Sequence, residues 1–74
     1  MKLSDAKEGQ KCTVVAIHGD DITMQATRFG IDSGTLIYIQ KNIKGGPVVI
    51  CKNELEIAIG RDIAKSIEIA IGGK

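Results

Sequence analysis

Two five-residue segments near the end of the chain, "LEIAI" at 55–59 and "IEIAI" at 67–71, place an aliphatic side chain at every second position. Successive side chains of a strand point to opposite faces, so this spacing sets Leu55, Ile57 and Ile59 on one face of a strand, and Ile67, Ile69 and Ile71 on one face of another. The same bias runs through the whole chain, in which 20 of 74 residues are Ile, Val or Leu and 13 are Ile. Such β-branched side chains are stiff and pack well on a pleated surface. A chain this short buries only roughly 60% of its unfolded surface, which leaves little room for a deep catalytic cleft beside a core. Residues 1–74 are expected to form one small, strand-rich domain.

Charge and composition narrow the function classes. Ten basic against nine acidic side chains give a net charge of +1, without the basic excess that phosphate-backbone binding exploits. Nonspecific nucleic-acid binding is therefore disfavoured. Aromatics are limited to Phe29 and Tyr38, too few to line a polyproline-binding groove, and Phe29 is expected in the core. No apolar run approaches the ~18 residues of a bilayer span, and "MKLSDAKEGQ" has no apolar signal-peptide core, so a cytoplasmic location is expected. In that compartment Cys12 and Cys51 read as separate small hydrophobes. The lone His18, six residues from Cys12, supplies no metal-ligand spacing, and no tightly bound cofactor or metal is expected. Ser4, Ser33 and Ser66 lack a nearby base and acid, so the chain does not read as an enzyme.

One segment breaks the strand rhythm. "KCTVVAIH" is a strand that Gly19 ends, and "DDITMQATRF" switches to a helical period, with Ile22, Ala26 and Phe29 at i, i+4 and i+7 on one stripe. Asp20 or Asp21 is expected to accept bonds from the first free amides and to face the positive end of the helix. Gly30 then follows the last periodic residue, where helices stop with a residue at positive φ, and Ile31 is expected to fold back on the last turn. Gly34, closing "DSG", provides a second positive φ and starts the next strand, "TLIYIQKNI". Gly45, Gly46 and Pro47 break that strand from "VVICK". Asn53 suits the tight turn into "LEIAI", "GRDIAKS" forms a turn or single helical turn, and "GGK" is expected to fray. The fold class that results is mainly β: a small, partly closed antiparallel barrel of about five strands, with one short helix between the first and second.

These pieces, taken in order, resemble the FeoA family, small SH3-like proteins of bacterial ferrous iron uptake whose domain also occurs at the C-terminus of metal-dependent repressors. The resemblance is carried by "LSDAKEGQKCTVVAI", "FGIDSGT", "GGPVVI" and "LEIAIGRDIAKSIEI", and covers Leu3 to Ile69. This chain has Gln25, Ala26 and Thr27 where family members often carry Arg and Leu, and Asn53 where they often carry Gly. The resemblance implies an SH3-like barrel and an accessory protein that binds the membrane iron transporter FeoB, which has a cytoplasmic GTPase domain. Fe(II) is linked to the chain only through that transport. The alternative is a regulatory or corepressor-type domain related to the repressor barrels. A helical wheel puts Met24, Thr27 and Arg28 outward, with Asp32 just past the cap, and these four are the expected partner contacts. Lys41, Lys44 and Lys52 offer a second surface, suited to an acidic partner.

Overall fold

The computed structural model describes residues 1–72, so Gly73 and Lys74 of the tail expected to fray lie outside it. A 3-10 turn at Leu3–Asp5 precedes β1 (Lys11–Ile17), α1 (Asp20–Arg28), β2 (Leu36–Asn42), β3 (Val48–Lys52), β4 (Leu55–Ile59), a four-residue helix α2 (Arg61–Ala64) and β5 (Ile67–Ile71). All strand pairs are antiparallel, in the order β4-β3-β2-β1-β5. The sheet does not close, because β4 and β5 do not pair with each other among the described residues. Two bulges, between Val14 and Ala16 and between Ile39 and Lys41, bend it.

Alternation places the core on one side of this sheet. Cys12, Val14, Ile37, Ile39, Val48, Ile50, Ile57, Ile59, Ile67 and Ile69 are buried, and Leu3, Ala6, Ala26, Ile31 and Ala64 cover them. Leu55 and Ile71 depart from expectation. They belong to the inward set by spacing yet remain 57% and 45% exposed. Both sit at the ends of edge strands and are paired on one side only, Leu55 with Lys52 beside the Asn53–Glu54 turn and Ile71 with Cys12. Asn53 takes φ 56, the left-handed conformation the two-residue turn requires.

The start of α1 differs from the sequence reading, whereas its stop follows it. Gly19, at φ 95, occupies the N-cap, and neither Asp20 nor Asp21 caps through its side chain. The two carboxylates sit instead inside the first turn, where the helix dipole alone favours them. At the other end the NH of Gly30 donates to the Thr27 carbonyl at 2.9 Å and that of Ile31 to the Ala26 carbonyl at 2.9 Å. These are the paired bonds of a Schellman stop. Gly30 takes φ +76, and Ile31 is 1% exposed.

A Cβ added to Gly30 would stand 2.5 Å from Lys52 Nζ, a flexible chain end that can move away, so backbone strain sets the cost of substitution. Gly30→Ala is expected to lower unfolding free energy by about 1–2 kcal/mol, while Thr27→Ala stays within about 0.5 kcal/mol of wild type in urea titration. Equal midpoints for Gly30→Ala and wild type would contradict this.

A polar cluster closes the end of the sheet nearest α2. The Arg61 guanidinium donates from Nε to the Gly46 carbonyl at 2.9 Å and from its terminal nitrogens to the carbonyls of Ser4 (3.2 Å) and Ile43 (2.7 Å) and to Asn42 Oδ1 (2.5 Å). Asn42 Nδ2 donates in turn to the Ser4 and Ala6 carbonyls, at 3.0 and 2.6 Å. One fork therefore ties the N-terminal turn, the β2–β3 loop and α2 together. In that loop Gly45 has φ +73, Gly46 packs against Ile43, and the Pro47 carbonyl accepts the Ile43 NH at 3.2 Å.

Candidate partner-docking surface

Helix α1 buries one side chain, Ala26. Ile22 is half-buried, and Phe29, expected in the core, is 50% exposed. The correction has a local cause. Phe29 is the C-cap residue, where the helical rotation has ended, and the inward position that the stripe assigned to it is taken by Ile31 after the chain reverses at Gly30. A short helix with an alanine as its anchor leaves its remaining apolar side chains on the surface.

Met24, 60% exposed, and Phe29 border an open hollow with Asp21, Gln25 and Arg28. On its other side Phe29 lines a narrower, mainly apolar groove of about 190 Å³ between α1 and the β4–α2–β5 segment, whose walls include Ala26, Ile31, Ile59, Ile63 and Ile67. Of the four residues expected to contact a partner, Met24 and Arg28 flank the first hollow. Thr27 and Asp32 are exposed but line neither. Thr27 donates its hydroxyl to the Thr23 carbonyl at 2.8 Å, and the Asp32 amide donates to Thr35 Oγ1 at 2.9 Å. Lys41 and Lys44 are exposed on the β2–β3 hairpin, whereas Lys52 is partly buried and points its amine toward Gly30 at the C-terminal end of α1.

Titratable chemistry is sparse. No group of three or more His, Cys, Asp or Glu side chains is placed to hold a metal among the described residues. His18 Nε2 lies 3.2 Å from Glu68 Oε1 on the surface. Cys12 and Cys51 are both free thiols. Burial pushes the Cys12 thiol up, so it stays protonated and is a poor ligand or nucleophile. No helix among the described residues is long and apolar enough to cross a membrane.

The FeoA domain family model matches residues 1–71. The chain belongs to the FeoA family. Membership ties it to ferrous iron uptake and to domains whose role is accessory or regulatory. A crystal structure described as an iron uptake regulatory protein (FeoA) superposes with a TM-score of 0.89 at 25% identity, over 96% of each chain. The solution structure of a FeoA-like protein from Clostridium acetobutylicum gives 0.84 at 22% identity, over 96% of this chain and 85% of that one. A manganese-dependent transcriptional repressor gives 0.87 at 15% identity, covering 95% of this chain but 40% of its own. The last two likenesses speak to fold alone. No curated protein sequence matches. The FeoA domain is thus SH3-like, as expected, and shares its open five-stranded sheet with domains of metal-dependent repressors.

Proposed function

We propose that this member of the FeoA family is a cytoplasmic accessory module that docks through α1 and the adjoining groove onto the cytoplasmic, GTPase-bearing part of a FeoB-like iron transporter. The observation that carries this reading is the exposure of Met24 and Phe29, on and just past a helix that buries only Ala26, beside an apolar groove. Flexible methionine and a half-exposed aromatic ring are suited to adaptable apolar contact, with Arg28 supplying charge at the rim. Docking acts on transport or nucleotide turnover by favouring whichever partner conformation the module binds better.

NMR titration with the cytoplasmic part of the cognate transporter tests this. Shifts are expected at Met24, Arg28 and Phe29, and Met24→Asp is expected to weaken binding about tenfold with an unchanged urea midpoint. Shifts confined to residues 41–52 would move the site to the basic hairpin. No shifts at millimolar partner would favour the second reading, a regulatory domain like those of the repressors, which the shared fold supports.

A further inference from the structure

The outer face of the sheet, away from the core, carries its own pattern. Strand register sets Lys11 of β1 opposite Tyr38 of β2, Tyr38 opposite Cys51 of β3, and Cys51 opposite Glu56 of β4. Lys11, Tyr38 and Glu56 are exposed, and Cys51 is partly so, while their strand neighbours Cys12, Ile37, Ile39, Ile50 and Ile57 are buried. A single row across four strands therefore reads cation, aromatic, thiol, anion. Leu36, 47% exposed, extends the apolar centre along β2, and an open depression of about 440 Å³ lies between Leu36, Tyr38 and Cys51. Lys11 and Glu56 are three strand spacings apart, roughly 14 Å, too far to pair with each other. Among the described residues only His18 and Glu68 lie within ion-pair distance of each other, at 3.2 Å.

We infer that this face is self-complementary and docks a second copy of the chain, sheet on sheet. A two-fold axis lying in the interface, parallel to the strands and between β2 and β3, places β1 over the partner's β4 and β2 over the partner's β3. Lys11 then faces Glu56 of the partner subunit twice by symmetry, and Tyr38 lies over Cys51 of the partner subunit. An axis perpendicular to the strands would stack Lys11 on its own copy, so the charges select the first arrangement. Four strands at ~4.8 Å and five residues at ~3.4 Å cover roughly 330 Å² of flat face. That is below the ~800 Å² per partner of a standard interface, so the dimer is a weak one, with a dissociation constant of tens of micromolar or more.

Sedimentation equilibrium of the full chain from about 10 µM to about 1 mM at low salt tests the inference. The expected result is a concentration-dependent rise from 7.9 kDa toward twice that mass, weakened by added salt. Lys11→Glu and Glu56→Lys are each expected to weaken association about tenfold. An equimolar mixture of the two variants is expected to associate as wild type does. In the mixed dimer the two reversed charges face each other at one of the symmetry-related contacts, and the original lysine–glutamate pair remains at the other. Circular dichroism of each exposed-site variant checks that the fold is retained. A wild-type monomer throughout the range would overturn the inference. So would a dimer indifferent to either charge reversal, or variants that fail to associate when mixed.

Discussion

Arg61→Ala is expected to lower the unfolding free energy by about 2–4 kcal/mol, the largest loss from any polar substitution in the described chain. Hydrogen bonds to a charged donor contribute about 1.5–3 kcal/mol each where water cannot replace them, and this guanidinium serves four acceptors in two separate stretches of the chain. Water reaches the outermost, at the Ile43 carbonyl, which keeps the total well below four times that value. A domain of this length has only about 4–11 kcal/mol to lose. Arg61→Lys is expected to recover less than half, since an ammonium is a point donor that cannot span Gly46, Ser4 and Asn42 together. Urea or thermal unfolding of both variants gives the comparison. A loss under about 1 kcal/mol for Arg61→Ala would mean that solvent already competes for the whole cluster.

Ile31→Ala is expected to cost about 2.5–4 kcal/mol and Phe29→Ala less than about 1 kcal/mol, although the larger side chain is the one removed at the cheaper site. Ile31 is 1% exposed and packs with the core, so truncation loses transfer free energy and leaves a cavity. Phe29 already shows half its surface to water. Its truncation should register instead in partner binding, where loss of an aromatic anchor typically exceeds tenfold. Equilibrium unfolding and transporter titration on the same two variants separate the roles. Similar stability losses at both positions would place Phe29 in the core after all, and the docking surface would lose its aromatic.

Much of this molecule was legible in its sequence because most of its elements are governed by local rules. The inward spacing of Ile57, Ile59, Ile67 and Ile69, the left-handed Asn53 turn and the glycine stop after α1 each depend on a few neighbouring residues, and each took the expected form. What was not legible depended on ends and on distance. The wheel that put Phe29 inward extends a helix past its last turn, and the only local warning is that Phe29 directly precedes Gly30. Asp20 and Asp21 stand one and two residues past the cap position, which Gly19 holds. The Arg61–Asn42–Ser4 cluster joins residues up to 57 positions apart, mostly through backbone carbonyls, for which no side-chain motif exists. For the candidate site, the outward direction of Met24 and Arg28 followed from helical geometry, but the groove beside Phe29 arises only when β4, α2 and β5 close around it.

The strand order also bears on solubility. An unpaired strand edge is a template for further strands, and the two edges here are the two segments with the strongest aliphatic alternation, "LEIAI" and "IEIAI". Each carries a glutamate at its second position, Glu56 and Glu68, and no other strand of the sheet contains an acidic residue. The β5 edge is further shielded by Met1, whose carbonyl takes the Ile69 NH at 2.7 Å, and by the Lys2–Glu68 bridge. The β4 edge has only its charge and its short length. Replacing Glu56 with a neutral β-branched residue would leave five consecutive apolar residues on an open edge, the composition from which amyloid-like stacking starts. Glu56 is thus the one charge that interrupts the apolar run on the open β4 edge.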